Sequence, residues 1–180
     1  MRSILIVIDM QNDFIDGALG TKEAEAIIEG AVKKIRSYAP EDIFVTMDTH
    51  TEDYEETQEG RILPVPHCVK GTHGWQIRKE IKEALREARI FEKPSFGAGA
   101  LIRELEETAK KEKLAIEMIG LCTDICVVVN ALAIKTYLPE VPLRVDASLC
   151  AGTTPQMHRA ALMTMRSCQI LIENEEGTEY

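Results

Sequence analysis

The sequence has little positive charge and few aromatic residues. It carries 21 Lys+Arg against 30 Asp+Glu, a formal net charge of −9, and no run of five or more basic residues. Nucleic acids and anionic membranes attract proteins through clustered lysine and arginine side chains, so neither is an expected partner. No apolar run exceeds six residues, whereas a membrane-spanning helix needs about 20. The sequence therefore predicts no membrane segment.

Signs of a secreted protein are also missing. Residues 1–3 lead directly into a strand-like run, without the charged and apolar regions of a signal peptide. Five cysteines are an odd number without an even-spaced framework, so we expect reduced thiols and a cytoplasmic protein. With 180 residues, 45% of them hydrophobic, the chain is long enough for one hydrophobic core. We expect a single domain over residues 1–180.

Six short apolar runs alternate with stretches of helical periodicity. Unbroken apolar runs of this length are typical of strands buried on both faces of a parallel sheet. The predicted strands are residues 3–9, 42–48, 88–93, 115–121, 143–150 and 169–173. Strand–helix alternation of this kind predicts an α/β fold of three layers (αβα), in which a six-stranded parallel sheet carries helices on both faces.

Apolar spacing predicts the helices between these strands. Residues 27/31/35, 77/81/85 and 101/102/105 repeat with helical period, and residues 154–165 do so more weakly. Residues 124–136 are apolar nearly all round, so we expect a helix buried inside the fold or against a second subunit. The acidic residues 174–180 are expected to form a solvated tail.

Residues 49–72 form a long connection without periodicity, and long loops inside compact domains are usually functional. Asp48 and His50 stand two residues apart at a strand end, and His67 follows later in the same loop. Several glutamates lie between the two histidines. This combination indicates a mixed nitrogen and oxygen site for zinc, iron or manganese; a polar surface loop with scattered charges is the alternative.

Chemically capable side chains collect at the carboxyl ends of the predicted strands, where open parallel sheets bind ligands. The first three strands deliver Asp9, Asp48 and Lys93 to that edge, and the fourth continues into Cys122 and Cys126. In a first helical turn, unpaired N–H groups and the helix dipole favour an anion. We therefore expect a lowered pKa for Cys126 and a nucleophilic thiol. A small buried hydrophobic role is the alternative.

These motifs resemble those of the nicotinamidase and isochorismatase-like cysteine hydrolases. The matching pieces, in chain order, are residues 9–14 (DMQNDF), 48–50 (DTH), 66–72 (PHCVKGT), Lys93 and residues 120–127 (GLCTDICV). They run from the first predicted strand to the fourth helix, and the two remaining strands fit the six-stranded sheet of this family.

The resemblance implies a mechanism. Asp9, Lys93 and Cys126 would be the catalytic base, cation and nucleophile. The backbone N–H groups of Cys122 and Cys126 would form the oxyanion hole, and the peptide bond between Leu121 and Cys122 would be cis. The implied reaction converts nicotinamide to nicotinate and ammonia through a thioester on Cys126, as a step of pyridine-nucleotide salvage and NAD biosynthesis.

The resemblance also implies a divalent metal, with zinc expected before iron or manganese. Asp48, His50 and His67 would hold it together with one more residue of the loop. Many members of the family use a further histidine there, but this loop has none between His50 and His67. We expect Glu59 as the fourth ligand, with Glu55 and Glu56 as alternatives.

The substrate and the assembly follow less directly from the motifs. Phe14, Leu63 and Phe96 are the expected substrate-contacting residues, although family members often have an aromatic where Leu63 stands. Another small amide, or a carbamoyl or ureido compound, is the alternative substrate. Outside this class, Cys122 and Cys126 could form a redox-sensing pair, or the chain could be an idle scaffold domain. The resemblance implies a homo-oligomer, either a dimer or a tetramer.

Overall fold

The computed structural model describes residues 1–175 of the chain. The strands are β1 (Arg2–Ile8), β2 (Ile43–Asp48), β3 (Arg89–Lys93), β4 (Leu114–Leu121), β5 (Leu143–Ala151) and β6 (Leu171–Glu173). The helices are α1 (Asn12–Ile15), α2 (Lys22–Ala26), α3 (Ile28–Arg36), α4 (Gln58–Ile62), α5 (Lys79–Leu85), α6 (Gly99–Ala109), α7 (Val128–Tyr137) and α8 (Pro155–Ser167). Two 3₁₀ turns (Pro40–Asp42 and Tyr54–Glu56) and a π-helix (Thr123–Val127) complete the secondary structure of these residues.

The six strands form one sheet in the order β3-β2-β1-β4-β5-β6, and every neighbouring pair is parallel. The predicted six-stranded parallel sheet is confirmed. The chain builds outward from β1 in one direction and from β4 in the other. Strand order therefore reverses between β1 and β4, and the crevice beyond their carboxyl ends is the expected ligand site.

Helices cover both faces of the sheet, which confirms the three layers. One apolar cluster joins the strands to α6, α7 and α8, through residues such as Leu105, Ile134 and Leu162. The other joins the opposite face to α3 and α5, through residues such as Ile35 and Ile81. Both clusters draw on neighbouring residues of β1, because successive side chains of a strand point to opposite faces.

The sixth strand is shorter than predicted. It begins at Leu171 rather than at residue 169, because Gln169 has a φ of +64°, a left-handed conformation that does not belong to a strand. The remaining strand boundaries lie within one residue of the prediction.

The loop of residues 49–72 is more structured than its sequence pattern indicates. It contains the 3₁₀ turn Tyr54–Glu56 and the helix α4, whose first turn is capped by Thr57, which accepts a hydrogen bond from the Gly60 backbone at 3.0 Å. A Cβ atom at Gly60 would lie 2.1 Å from the carbonyl oxygen of Tyr54. Only glycine fits there, and the missing side chain allows α4 to pack closely on the 3₁₀ turn.

Of the two alternatives expected for residues 124–136, a helix buried inside the fold of one chain is wrong, whereas burial against a second subunit stays a prediction. The segment divides into the π-helix and α7. Ala131 and Ile134 are fully buried, but Val129 is 38% exposed and Tyr137 61% exposed. One side of α7 packs on the sheet while the other lies on the surface, because α7 belongs to an outer layer of the sandwich.

The tail prediction is partly wrong. The side chain of Glu175 is only 10% exposed and forms an ion pair with Arg166; residues 176–180 lie outside the described part of the chain. Among residues 1–175, no helix is long and apolar enough to cross a membrane.

A charged cluster is buried beneath α3, away from the carboxyl edge of the sheet. The carboxylate of Glu117 on β4 accepts hydrogen bonds from Lys34 Nζ at 2.5 Å, Tyr38 Oη at 2.7 Å and Arg144 Nη2 at 2.7 Å. Burial raises the pKa of Glu117, but these hydrogen bonds outweigh it and hold the pKa below its ordinary value of 4.5. The ionised form of Glu117 therefore stabilises the fold.

We predict that Glu117→Gln removes part of the pH dependence of stability. Because the folded-state pKa is lowered, the stabilisation is fully present above the unfolded-state pKa and is lost as the pH falls through the folded-state pKa. Near neutral pH the variant should lose about 2 kcal/mol of unfolding free energy. This difference should shrink in acid, as measured by urea unfolding of both proteins across the pH range. A pH-independent difference would contradict the prediction.

Candidate active site

Asp9 is placed at the carboxyl end of β1 by an unusual backbone conformation. Its φ is +47° and its side chain is fully buried. Thr46 on the neighbouring strand β2 donates a hydrogen bond from Oγ1 to Asp9 Oδ1 at 2.6 Å, and the Asp9 backbone donates to Thr46 in return. The carboxylate is therefore held in one orientation by two strands.

Lys93 lies at the end of β3 and joins the charged groups of this edge. Its Nζ atom lies 2.8 Å from Asp9 Oδ2, 3.0 Å from Asp48 Oδ1 and 3.4 Å from Cys126 Sγ. It also donates a hydrogen bond to the Ser95 carbonyl at 3.0 Å. The Lys93 residue is 1% exposed, so its charge interacts with these groups instead of with water.

Cys126 lies in the π-helix that follows β4. The peptide bond between Leu121 and Cys122 is cis, which confirms the expectation from the motif. Cys122 then precedes the π-helix, and its carbonyl accepts hydrogen bonds from Ile125 and Val127 at 3.1 Å each. This short bend turns the chain at the switch point of the sheet and places the Cys126 thiol against Lys93.

The expected lowering of the Cys126 pKa is wrong for the protein without a bound ligand. Burial and the nearby carboxylates of Asp9 and Asp48 raise the pKa of Cys126 well above its ordinary value, and Lys93 only partly offsets them. Burial also raises the pKa of Asp9, despite the opposing charge of Lys93. The helix-terminus argument failed because it neglected burial and two neighbouring negative charges.

Three predicted metal ligands meet beside this group. The ligand atoms of Asp48, His50 and His67 all lie within 4.8 Å of one another, and all three residues are buried. Glu59 Oε1 lies 3.9 Å from His50 Nε2 and 3.7 Å from His67 Nε2. The neighbouring alternatives Glu55 and Glu56 are exposed residues. Two imidazole nitrogens and two carboxylates thus face a common point.

The ligand orientations suit a metal ion. The Nδ1 atom of His67 donates a hydrogen bond to the Val65 carbonyl at 2.9 Å, which leaves Nε2 to face Asp48 and Glu59. Gln11 fixes Asp48 by donating to its carbonyl at 2.8 Å and accepting from its N–H at 2.7 Å. Buried histidine and carboxylate ligands that are oriented by further hydrogen bonds are the usual donors for zinc.

Asp48 connects the possible metal site to the Lys93 group. One carboxylate oxygen contacts Lys93 Nζ, and the other lies 3.0 Å from His50 Nε2. Burial raises the pKa of Asp48, but the neighbouring imidazoles of His50 and His67, with the charge of Lys93, lower it below its ordinary value. The carboxylate therefore stays ionised, as a metal ligand must be.

A cavity of about 550 Å³ opens above these residues. Asp48, Glu59, His67 and Cys126 are among its lining residues, and its walls are mainly apolar. The large apolar side chains of the walls are Phe14, Leu19, Ile62, Leu63, Phe96 and Ile125. All three residues that we predicted to contact substrate lie in these walls. No arginine or lysine is among the described residues that line the cavity.

Several residues that shape the site were not identified from the sequence. Gln11 and Thr46 orient Asp48 and Asp9, and Tyr54 packs its ring against His50 and His67 at 4.8 and 5.0 Å between centroids. Gln11 belongs to the DMQNDF motif, so the sequence itself indicated a polar residue close to Asp9. Thr46 and Tyr54 offered none, because their roles depend on pairing between strands and on the fold of a loop.

We predict that alkylation of Cys126 in the metal-free protein keeps accelerating above pH 9. Only the thiolate reacts, and the raised pKa of Cys126 shifts the formation of the thiolate to higher pH. Lys93→Met should slow the reaction further, because Lys93 lowers the pKa of Cys126. The measurement is mass spectrometry of the Cys126 peptide after timed treatment with iodoacetamide. The exposed Cys168 serves as an internal control, and a plateau at neutral pH would contradict the prediction.

Comparisons with known proteins agree with this geometry. A family model described as the isochorismatase domain matches residues 3–176. The isochorismatase family protein PncA of Bacillus subtilis is 30% identical over 174 residues, which cover 90% of this chain and 93% of the relative.

Solved structures show the same fold. The crystal structure of nicotinamidase/pyrazinamidase PncA from Bacillus subtilis has a TM-score of 0.81 and 26% identity, over 97% of this chain and 100% of that chain. The pyrazinamidase of Pyrococcus horikoshii, solved in complex with zinc, has a TM-score of 0.80 and 24% identity, again over 97% and 100%.

Proposed function

The chain belongs to the isochorismatase family and is an amidohydrolase, and from this premise we propose that it converts nicotinamide to nicotinate and ammonia with Cys126 as nucleophile. The observation that carries the proposal is the contact of one buried ammonium, Lys93 Nζ, with Asp9 and with Cys126, which lines a mainly apolar cavity. A base, a cation and a thiol held together in this way are the groups that acyl transfer to cysteine requires.

In the proposed first step, Asp9 accepts the proton of the Cys126 thiol. The sulfur attacks the amide carbonyl, a C–S bond forms, and the C–N bond breaks as Asp9 returns the proton to the leaving nitrogen. Ammonia departs and a thioester remains on Cys126. A water molecule then gives its proton to Asp9 and attacks the thioester, which releases the carboxylic acid and restores the thiol.

The electrostatics of the site support this division of roles. Burial raises the pKa of Asp9, which makes this carboxylate a stronger base than an ordinary aspartate for the thiol proton. The raised pKa of Cys126 keeps the thiol protonated until Asp9 accepts its proton. Lys93 remains protonated, because the neighbouring negative charges outweigh the effect of its burial and raise its pKa. It stabilises whichever of the two groups carries the negative charge at each stage.

The tetrahedral intermediate needs donors for its oxyanion. We assign this role to the backbone N–H groups of Cys122 and Cys126, which lie on either side of the bend that begins the π-helix. No side chain is required for the role, so substitution of Cys122 by alanine should preserve it.

Asp48, His50, His67 and Glu59 would hold a divalent metal, and zinc suits two imidazoles and two carboxylates. The relative from Pyrococcus horikoshii was solved with zinc. When bound, the metal would supply a Lewis acid that anchors the ring nitrogen of the substrate. Phe14, which meets the His67 ring at 5.5 Å, and Phe96 and Leu63 would enclose the ring.

The cavity favours a neutral amide over the carbamoyl and ureido acids. An N-carbamoyl amino acid carries a carboxylate, and a buried carboxylate needs a cationic or other strong partner. Asp48 and Glu59 would balance the charge of the bound metal, which is assigned to the ring nitrogen, and no arginine or lysine is among the described residues that line the cavity. A neutral aromatic amide needs no such partner and can place its ring against the apolar walls.

The redox-sensing alternative receives less support. A sensor cysteine is solvent-accessible and has a resolving cysteine beside it, but Cys126 is buried, and burial raises the pKa of its prospective partner Cys122 to about 12. All three groups of the proposed triad are present and in contact through Lys93, whereas an idle scaffold would have no reason to keep them together.

Ammonia release from nicotinamide by the zinc-loaded protein tests the proposal. Cys126→Ala should lower the rate by at least about 10³-fold, because it removes the nucleophile, while circular dichroism and the unfolding midpoint stay close to those of the parent. If the protein cleaves an N-carbamoyl amino acid and leaves nicotinamide intact, the substrate assignment is wrong but the proposed triad stands. An unchanged rate in Cys126→Ala would overturn the mechanism.

The fourth metal ligand has its own test. Glu59→Ala should weaken zinc binding at least about 10-fold, as measured by competition with a chelating dye. The exposed residues Glu55 and Glu56 provide matched controls, because their alanine variants remove the same charge from the same loop and should retain wild-type affinity. A loss confined to Glu55→Ala or Glu56→Ala would reassign the ligand.

The broader setting remains part of the proposal. We propose one catalytic domain over residues 1–180, a cytoplasmic location and a role in pyridine-nucleotide salvage. We also propose a homo-oligomer, supported by the uncovered side of α7. That side exposes Val129 and Tyr137, although the helix carries apolar residues nearly all round. Exposed apolar surface of this kind is typical of protein–protein contacts.

A further inference from the structure

Asn130 is a buried polar residue in an otherwise apolar helix. Within α7, all of which is described, the buried residues are Asn130, Ala131 and Ile134, and Asn130 has no exposed surface. Burial of an amide in apolar surroundings is unfavourable unless its hydrogen bonds are satisfied. An apolar residue would fill the same space without that requirement, so packing alone does not explain the asparagine.

The Asn130 amide connects the helix of the nucleophile to a second segment. Its Nδ2 atom donates to the Cys126 carbonyl at 2.8 Å and to the Phe96 carbonyl at 3.0 Å. Its Oδ1 atom accepts from the Ala98 N–H at 2.8 Å. Two of these three hydrogen bonds reach the β3–α6 loop, residues 94–98, which follows Lys93 directly.

The β3–α6 loop carries two parts of the proposed active site. The carbonyl of Ser95 accepts a hydrogen bond from Lys93 Nζ at 3.0 Å, and the Phe96 ring forms a wall of the cavity. The phenylalanine is 43% exposed, so its own packing constrains it little. The Asn130 amide is thus a direct hydrogen-bonded connection between this loop and the turn of Cys126.

We infer that Asn130 is a positioning residue, which pins the β3–α6 loop to the turn of Cys126 and so sets the placement of Lys93 and Phe96 around the substrate. The inference rests on the proposed function only for its effect on turnover. The pinning itself concerns three hydrogen bonds and is measurable without any substrate.

Two substitutions separate pinning from helix stability. Asn130→Ala removes all three hydrogen bonds. Asn130→Thr keeps the one within the helix, because Thr108, Thr136 and Thr164 each donate Oγ1 to the carbonyl four residues earlier at 2.8, 2.7 and 3.0 Å. A threonine at position 130 is too short to bond both Phe96 and Ala98. Thr108→Val is the matched control, since it removes a buried hydroxyl of α6 outside the site.

Amide hydrogen exchange and steady-state kinetics then decide the inference. Exchange in the peptide covering residues 94–98 should accelerate in Asn130→Ala and Asn130→Thr, but not in Thr108→Val. The kcat of both Asn130 variants should fall about 10- to 100-fold, as expected for misplacement near 1 Å, while urea unfolding shows Asn130→Thr to be more stable than Asn130→Ala. If Asn130→Ala does not fold, Asn130→Thr alone decides.

Two results would overturn the inference. Unchanged exchange in residues 94–98 would show that the amide does not pin the loop. Faster exchange together with a kcat within about twofold of wild type would show that Asn130 has only a structural role. The same conclusion would follow if Asn130→Thr restored both kcat and stability. If the wild-type protein cleaves no amide, the proposed function fails while the exchange measurement still decides the pinning.

Discussion

The architecture of the site depends on one buried positive charge. An ammonium group removed from water is unfavourable by several kcal/mol unless anions and hydrogen-bond acceptors replace the water, and Lys93 finds two carboxylates, a carbonyl and a thiol. These partners come from the ends of β1 and β2, from the loop after β3 and from the π-helix after β4. Because the sheet order places those elements side by side, the contacts of Lys93 fix Asp9, Cys126 and Asp48 relative to one another, and these are the proposed base, nucleophile and metal ligand.

The sequence predicted most of the fold and the polar part of the site, for a physical reason. Strands buried on both faces appear as unbroken apolar runs, and parallel topology brings their carboxyl ends to one edge, so Asp9, Asp48 and Lys93 could be grouped before any coordinates. Properties that depend on three-dimensional surroundings could not be predicted in this way. The predicted direction of the Cys126 pKa shift was wrong, because burial and two carboxylates raise this pKa by more than a helix terminus lowers it. Thr46 and Asn130 act through hydrogen bonds to other segments, which no spacing in the chain reveals.

The cavity combines two environments, to which we assign recognition and reaction. Asp48, Glu59, His67 and Cys126 are among its lining residues, while Phe14, Leu63 and Phe96 give the walls an apolar character. The proposed neutral planar amide matches both, because its ring would replace water against the walls and its carbonyl would reach the thiol. A substrate with a free carboxylate matches the walls less well, since no arginine or lysine is among the described residues that line the cavity.

The central claim is that Cys126, held by Lys93 and Asp9, attacks the amide and carries the acyl group before water does. Trapping with hydroxylamine tests this claim most directly, because hydroxylamine competes with water for a thioester. With nicotinamide as substrate, the account predicts that part of the product appears as the hydroxamate, in a share that rises with hydroxylamine concentration and vanishes in Cys126→Ala. Nicotinate as the sole product at every hydroxylamine concentration, with turnover continuing, would mean that water attacks the amide directly and would contradict the account.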